Sequence, residues 1–190
     1  MKRRLTYVWL NIDYLEFLHN IDNEVEYSSK YKTSSQEKLF LGIITDVNNQ
    51  KYFIPLTSAK SRHATPKFSL SSKNHMLIYE QVDKQVKTKN PKKFYRTTED
   101  PDTFLMIISC LLFNKAIPVP DGMYSFLEIA DVTDINYKNM LLKEYSFCLS
   151  NHDEILKKAS NTIQAIKSGK TVPYACNLNL LEDEMGNFED

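Results

Sequence analysis

The feature that most constrains this chain is a pair of β-rich apolar runs separated by a short polar turn. Residues 38–47 and residues 51–56 are rich in Ile, Leu, Phe and Tyr, and an Asn-Asn-Gln turn lies between them. Two such runs joined by a short turn predict an antiparallel hairpin. Gly42 interrupts the first run, which indicates a bulge or a close approach by another part of the chain.

The other elements are predicted from hydrophobic periodicity and turn residues. Strands are expected at residues 5–11, 75–82, 104–113, 116–119 and 126–129. Helices are expected at residues 12–21, 135–151 and 153–168, with a short helix or edge segment in 177–190. Asn11 or Asp13 can cap the first helix, and Gly169 is well placed to end the third. The expected fold class is therefore α+β, a compact twisted antiparallel sheet surrounded by helices.

The length and the remaining segments predict one domain with an exposed insertion. A chain of 190 residues has the length of a single domain, 1–190. Residues 22–37 and 57–74 are polar and predict loops. Residues 83–103 are rich in Lys and Pro, and we expect them to form an exposed insertion. No helix shows a long exposed apolar stripe, so the free protein is expected to be a monomer.

Cysteine usage and hydropathy favour the cytoplasm. Cys110, Cys148 and Cys176 are widely spaced, which predicts neither a disulfide framework nor a zinc site and fits a reducing compartment. The basic N-terminus leads into a segment broken by polar residues, so no signal peptide is expected. No run approaches the ~20 apolar residues that a membrane helix needs, so no membrane partner is expected.

Positive charge is concentrated in the middle of a chain whose net charge is zero. Residues 51–100 hold eleven Lys and Arg against four Asp and Glu, an excess of seven. This asymmetry indicates either an anionic partner on one face or a solvated lysine-rich surface. Candidate phosphate contacts in and near this segment are Lys30, Lys32, Arg62, His63, Lys67, Lys84 and Lys87.

The segment PLTSAKSRH, residues 55–63, is the strongest candidate for a reaction centre. Thr57 and Ser58 supply adjacent hydroxyls at the end of a predicted strand, and Lys60 supplies a positive charge. These groups can bind a phosphate and stabilise the charge that develops on its oxygens during RNA cleavage. His63 can act as an acid, a base, a phosphate donor or a loop residue. The sequence has no metal-ligand spacing and no glycine-rich phosphate cradle, so neither a metal nor a cofactor is expected.

Several segments, in the same order, resemble one known family. They are KLFLGII at 38–44, KYFIPLTSAK at 51–60, YKNMLLKE at 137–144 and CNLNLLE at 176–182. The pattern resembles the ToxN/AbiQ toxins of type III toxin–antitoxin systems, with Leu178 in place of the family's Phe. The resemblance covers nearly the whole chain.

The resemblance implies a metal-independent endoribonuclease with a MazF-like, SH3-like barrel core. The 2′-OH would attack the adjacent phosphate of single-stranded mRNA and leave a 2′,3′-cyclic phosphate. Thr57, Ser58 and Lys60 match the family's active loop, and Lys38 matches the basic residue that opens the preceding strand. The family's active-site tyrosine has no residue at the same spacing here, and Tyr31 is the nearest candidate, followed by Tyr27.

The same resemblance implies an RNA partner. The family's antitoxin is a folded RNA repeat that the toxin cuts and that then blocks the site, and the expected complex is a closed protein–RNA hetero-oligomer. The family acts in abortive infection against phage, and DNA is not an expected ligand. A non-catalytic RNA-binding module that uses the same basic loop is the alternative.

Overall fold

The computed structural model describes residues 5–32, 39–47 and 50–188 and contains both strands and helices. The described strands are β1 (Thr6–Leu10), β2 (Leu39–Val47), β3 (Gln50–Ser58), β4 (His75–Asp83), β5 (Phe94–Thr97), β6 (Thr103–Leu112), β7 (Ile117–Pro118) and β8 (Tyr124–Phe126). The described helices are α1 (Ile12–Ile21), α2 (Lys84–Lys89), α3 (Ile135–Ser150), α4 (His152–Lys167) and α5 (Leu178–Glu184). The predicted α+β class is confirmed. Within these residues no helix combines the length and the apolar character needed to cross a membrane.

The strands form one antiparallel sheet built around the predicted hairpin. The order is β4-β6-β3-β2-β1-β8, with β5 beside β6 and β7 beside β3. The hairpin is confirmed, with Phe40 opposite Pro55 in β2 and β3. Its turn at Asn48 and Asn49 lies outside the described residues. In the described part of the chain β4 and β8 do not pair, so the sheet is open and the expected SH3-like barrel is not confirmed.

Gly42 in β2 allows an aromatic ring to lie across the hairpin. A Cβ atom added to Gly42 would lie 2.7 Å from Cε1 of Phe53, which is its partner in β3. Real Cβ atoms do not approach other atoms so closely, and only glycine leaves the necessary space. The predicted close approach is therefore confirmed, and the approaching group is the buried Phe53 ring.

Apolar side chains are buried in two clusters on opposite faces of the sheet. The larger cluster includes Leu56 and Leu111 from the sheet, together with buried residues of α3 and α4. The smaller cluster consists of Leu77, Ile107 and Cys110, with partly buried residues such as Phe68 packed against it. Leu111 and Cys110 are neighbours in β6 but belong to different clusters, because successive strand residues face opposite sides. The same alternation determines which side of the sheet each side chain at the end of β3 faces.

The ends of the helices follow their sequence signals. The Asn11 side chain accepts hydrogen bonds from the backbone of Asp13 and Tyr14 and begins α1, as predicted. After α4, Gly169 has a φ of 76°. The N–H of Gly169 donates to the Ile166 carbonyl at 3.0 Å, and that of Lys170 donates to the Ala165 carbonyl at 3.0 Å. This is the Schellman arrangement that a glycine after a helix favours, and the predicted cap is confirmed.

The C-terminal helix is attached to the hairpin by partly buried polar groups. Lys167 Nζ of α4 donates to Tyr52 Oη at 2.9 Å and pairs with Glu182 Oε2 at 2.5 Å. The Tyr52 hydroxyl also donates to Glu182 Oε1. Glu182 is the last residue of the CNLNLLE segment, so this part of the sequence signature has a structural role.

Helix α3 exposes an apolar stripe that the sequence analysis did not predict. Ile135, Leu142 and Leu149 are 63%, 49% and 50% exposed. Their seven-residue spacing places them on one side of the helix. The expectation that no helix exposes such a stripe was therefore wrong, and it no longer supports a monomeric free protein.

Candidate active site

The end of β3 carries the two hydroxyls that the sequence singled out. The strand continues through Ser58, two residues beyond its predicted end, so Thr57 and Ser58 belong to the sheet rather than to the loop. Thr57 pairs with Cys110 of β6, and Ser58 pairs with Ser109. The two hydroxyl groups face opposite sides, because side chains alternate along a strand. Ser58 is exposed whereas Thr57 is 8% exposed, so Ser58 is the more accessible of the two.

Lys60 is held at the start of a short turn by His63. Residues Ser61–Ala64 form a single 3₁₀ turn, and Lys60 precedes it in an extended conformation. The Lys60 N–H donates to His63 Nδ1 at 3.1 Å, and the His63 N–H donates back to the Lys60 carbonyl at 2.9 Å. This reciprocal pair fixes the backbone of Lys60 while its side chain remains exposed. The neutral His63 ring must carry its proton on Nε2, since Nδ1 accepts a hydrogen bond.

His63 itself is fully buried, and this corrects its predicted role as an RNA contact. Its ring lies 4.9 Å from that of Phe68, and its Nε2 has no partner within the described residues. Burial lowers the pKa of His63 to about 4, and the nearby Arg62 and Lys60 charges add to the shift. At neutral pH the ring is therefore uncharged. The geometry assigns His63 to supporting the turn.

Arg96 is a residue of this site that the sequence analysis missed. From β5 it reaches the turn, where Nε donates to the His63 carbonyl at 2.7 Å and the guanidinium also donates to the Phe68 carbonyl. One rigid side chain thus anchors both ends of the segment 63–68. Arg96 lies within residues 83–103, where we expected an exposed insertion. The segment is largely exposed, as expected, but it also contains α2 and a strand, β5, that pairs with β6.

Cations without carboxylate partners surround the turn. Lys60, Arg62 and Lys67 are exposed, and the structure shows no ion pair for them among the described residues. The Arg62 guanidinium lies over the Phe68 ring at 5.9 Å from the centroid. This arrangement leaves the positive charge of the turn available to an anionic ligand.

The cations of α2 stand apart from this group. Lys84 is exposed at the start of the helix. Lys87 is half-buried, with its Nζ 3.8 Å from the centroid of the Phe104 ring. Both remain candidates for phosphate contact, although neither has a contact with the 57–63 segment in the part of the chain that is described.

The second predicted basic region, residues 29–32, is arranged differently. Lys32 Nζ pairs with Asp13 at 2.8 Å and with Glu16 at 2.5 Å. The predicted RNA contacts Lys30 and Lys32 are both exposed, but the charge of Lys32 is already matched by two carboxylates. Ser29–Lys32 is a single 3₁₀ turn that also contains Tyr31.

Tyr31, the predicted active-site tyrosine, is half-buried in this second region. Its ring packs edge-on against Tyr27 at 6.2 Å, and Tyr27 donates a hydrogen bond to Glu16 at 2.7 Å. Burial and then Glu26 raise the pKa of Tyr31. The structure shows no contact between Tyr31 and Ser58 or Lys60 in the residues it describes. Lys38, the other predicted catalytic residue near this strand, lies outside the described residues.

Carboxylates, cysteines and histidines are dispersed in the described ranges. Within residues 5–32, 39–47 and 50–188, no group of three or more His, Cys, Asp or Glu is placed to hold a metal ion. The residues gathered around the end of β3 are instead two hydroxyls, four cations and a neutral imidazole.

A family model now gives this arrangement a context. The model of the toxin ToxN of type III toxin–antitoxin systems matches residues 6–186. The chain belongs to the ToxN family. The match runs from β1 to the end of α5, so it includes the Ser58–His63 segment, Arg96 and α3. The resemblance inferred from the sequence motifs is confirmed.

Two curated ToxN proteins are similar along most of their length. The endoribonuclease ToxN of Pectobacterium atrosepticum is 27% identical over 177 residues, covering 92% of this chain and 88% of that protein. The endoribonuclease ToxN of Bacillus thuringiensis subsp. kurstaki is 23% identical over 191 residues, covering 95% of this chain and 82% of that protein.

Solved structures show that the ToxN fold is shared. A chain from work on a processed non-coding RNA that regulates a bacterial antiviral system aligns with a TM-score of 0.75 at 24% identity, covering 97% of this chain and 99% of that chain. AbiQ, a lactococcal anti-phage endoribonuclease of a type III toxin–antitoxin system, aligns with a TM-score of 0.71 at 19% identity and 96% coverage of both chains. At these identities the similarity establishes the fold.

Proposed function

We propose that this protein is an endoribonuclease toxin of a type III toxin–antitoxin system that acts in abortive-infection defence against phage. Its family membership and the activity of its curated relatives support the proposal. The main structural support is the arrangement of residues at the end of β3. An exposed hydroxyl, that of Ser58, lies at the end of β3 beside Lys60 and Arg62, whose charges have no ion-pair partner among the described residues.

The proposed reaction is an internal transesterification of RNA. The ribose 2′-OH attacks the adjacent phosphorus and releases its proton to solvent, while the bond to the 5′-oxygen breaks and that oxygen takes up a proton. The products therefore carry a 2′,3′-cyclic phosphate and a 5′-hydroxyl. Negative charge grows on the non-bridging phosphate oxygens during this step. Ser58 donates a hydrogen bond to one of them, and Lys60 balances the charge. Thr57 was expected to hold the same phosphate, but its side chain faces the opposite side of the sheet, so Ser58 makes the direct contact in this proposal.

The proton donor for the leaving 5′-oxygen is assigned from the residues that hold a proton at neutral pH. The raised pKa of Tyr31 keeps its phenol protonated, which suits it to donate to the leaving 5′-oxygen. Lys60 is the alternative proton carrier, and Lys38 supplies a second positive charge. Charge and hydrogen-bond donors thus come from the protein itself, and the reaction as proposed uses no metal ion.

The proposed antitoxin is a folded RNA repeat that occupies the same cationic surface. Arg62 and Lys67 lie beside the site and provide the first phosphate contacts, while Lys84 and Lys87 extend the surface along α2. We expect repeat RNA and protein to close into a hetero-oligomer. We also place the protein in the cytoplasm, since Cys110, Cys148 and Cys176 are all free and buried.

The decisive experiment is cleavage of single-stranded RNA by the purified protein in EDTA. We expect cutting to proceed in chelator and to leave 2′,3′-cyclic phosphate ends, which end-specific labelling detects. Activity that disappears in EDTA and returns with a divalent ion would contradict the proposed chemistry. RNA binding without cleavage under all conditions would favour a non-catalytic RNA-binding module.

A further inference from the structure

Glu144 is an acidic residue in the buried stripe of α3. Leu141, Glu144 and Cys148 are spaced by three and four residues, so they share one face of the helix, and all three are buried. Glu144 is 2% exposed. Positions of this kind usually carry aliphatic residues, because a carboxylate without a partner is costly to bury. The structure shows no cation paired with Glu144 among the described residues.

Polar atoms with unmet hydrogen-bonding capacity gather around Glu144. Glu144 Oε2, Ser109 Oγ and Tyr7 Oη are all buried, and none has a hydrogen bond of regular geometry in the described part of the chain. They come from α3, β6 and β1. Glu144 acts electrostatically on Tyr7, and Ser109 acts on Glu144, so the three groups are near neighbours. Buried polar atoms in this condition are few in native proteins and often mark a functional site.

This cluster lies directly behind Ser58. Ser109 of β6 is the register partner of Ser58 in β3. Directly paired residues of antiparallel strands point to the same face, with Cβ atoms roughly 4.5–5.5 Å apart. The partner of Ser109 on its other side, Ile78 of β4, belongs to the larger cluster that α3 covers. Ser109 therefore lies beside Ser58 on the face of the sheet that α3 covers, where a small rotation of its hydroxyl can direct it toward either neighbour.

Glu144 also changes charge near neutral pH, unlike its immediate neighbours. Burial raises the pKa of Glu144 to about 7, and the Ser109 hydroxyl acts in the opposite direction. Tyr7 and Cys148 face the same interior. Burial raises the pKa of Cys148 to about 12 and that of Tyr7 well above its usual range. Both are uncharged between pH 6 and 9, and the Tyr137 phenol adds to the raised pKa of Tyr7.

The charged groups of the elements packed against α3 lie at its surface. Glu80 of β4 forms an ion pair with Lys143 at 2.5 Å, with both side chains partly exposed. Lys138 Nζ donates to the Ala130 carbonyl at 2.6 Å in the turn before α3, and Asp131 of that turn is exposed. None of these groups contributes to the raised pKa of Glu144.

We propose that Glu144 is a positioning residue for cleavage, whose carboxyl acts through the Ser109 hydroxyl to orient the Ser58 hydroxyl toward the scissile phosphate. The inference rests on the proposed function, since it requires Ser58 to contact that phosphate. In the protonated state the carboxyl donates to Ser109, Ser109 donates to Ser58, and Ser58 donates to a phosphate oxygen. Every hydroxyl then points toward the growing negative charge.

Ionisation of Glu144 reverses this arrangement. Ser109 then donates its only proton to the carboxylate and no longer supports Ser58. The rate of cleavage is therefore expected to fall as the pH rises through about 7, the pKa of Glu144. Glu144→Gln keeps a neutral donor in place at every pH and should not show this loss.

The test is single-turnover cleavage, from pH 5.5 to 8.5, of a synthetic single-stranded RNA that the wild type cuts. The ratio of the Glu144→Gln rate to the wild-type rate isolates the contribution of Glu144 from that of other ionisable groups. We expect this ratio to be constant below pH 6, to rise as the pH passes the pKa of the carboxyl, and to level off at about tenfold, the loss expected when the connection through Ser109 is broken. A merely structural role would not give a pH-dependent ratio.

Ser109→Ala supplies the independent variant. It breaks the connection, so its rate should be lower by about tenfold at pH 6. Its ratio to the wild type should also rise above pH 7, and adding Glu144→Gln to it should change nothing further. If circular dichroism shows that Glu144→Gln does not fold, the pH dependence of the ratio of the Ser109→Ala rate to the wild-type rate tests the proposal instead. Ratios that stay constant with pH overturn the role of Glu144 alone, whereas a wild type that cuts no RNA overturns the proposed function as well.

Discussion

Two short basic turns in this protein, Ser29–Lys32 and Ser61–Ala64, differ in what surrounds their charges. In the first, Lys32 is matched by Asp13 and Glu16 from α1. In the second, Arg62 and the preceding Lys60 have no carboxylate partner among the described residues. An anion meets a neutralised surface at the first turn and a positive one at the second. Counting lysines along a sequence therefore does not reveal where a phosphate will bind, because the opposing charges come from distant segments.

The largest expected effect is at the second turn. Ser58→Ala and Lys60→Ala should each lower RNA cleavage by roughly 100-fold or more, as expected when a donor to the transition state is removed. Both residues are exposed at the strand end, so the fold should be retained. Initial rates at saturating RNA, with far-UV circular dichroism for each variant, measure this.

The matched control for these variants is Lys32→Ala at the first turn. Its cleavage rate should stay within about twofold of the wild type, since exposed ion pairs contribute little. A loss at Lys32 as large as that at Lys60 would break the comparison and show that the charge of Lys32 itself takes part in cleavage.

Arg96 tests whether the second turn works only when it is held in place. Arg96→Gln removes the guanidinium that binds the carbonyls of His63 and Phe68. We expect cleavage to fall by about tenfold, the scale of one or two lost charge-assisted hydrogen bonds. Affinity for RNA should change less, because Lys60 and Arg62 remain.

Arg96→Lys separates geometry from charge in this experiment. Lysine keeps the positive charge but lacks the planar fork that reaches two carbonyls. It should behave like Arg96→Gln if anchoring matters. If Arg96→Lys restores full activity, Arg96 contributes charge rather than position. Cleavage rates and the melting temperature of each variant are the measurements.

The smallest expected effect concerns the salt dependence of RNA binding. Each phosphate contact to single-stranded RNA contributes about −0.7 to the slope of log K against log salt. The double variant Arg62→Ala/Lys67→Ala should make the slope less steep by about 1.4 if both residues contact phosphates. Lys32→Ala should leave it unchanged. Equal changes at the two turns would show that the ion pairs of Lys32 do not shield it from RNA.

The sequence predicted the elements whose signals are local and strong. The β2–β3 hairpin was expected because two apolar runs flank a polar turn, and α1 and α4 were expected because residues such as Asn11 and Gly169 mark their ends. The same hairpin placed Ser58 just beyond the end of a strand, in a predicted loop, whereas β3 extends through Ser58. The side of the sheet that Ser58 faces could not be predicted. It depends on the pairing of Ser58 with Ser109 of β6, and no local pattern in the sequence indicates that pairing.

The parts that sequence reasoning missed depend on long-range contacts. β5 has only four residues and follows a lysine-rich helix, so no hydrophobic pattern identified it, and Arg96 could not be linked to His63. The burial of His63 was missed for the same reason, because Arg96 and Phe68 cover the turn from elsewhere. Glu144 could have been noticed, since it falls on the face of α3 shared by Leu141 and Cys148.

The contact between α5 and the hairpin can form only late in the synthesis of this part of the chain. Tyr52 and Glu182 are 130 residues apart in the chain. At a synthesis rate of about 5–20 residues per second, Glu182 leaves the ribosome on the order of ten seconds after Tyr52. The hairpin that carries Ser58 is thus synthesised well before Glu182, whose carboxylate binds Tyr52 in β3. For a protein whose proposed substrate is messenger RNA, this polar contact forms only after its own message has been read as far as the codon for Glu182.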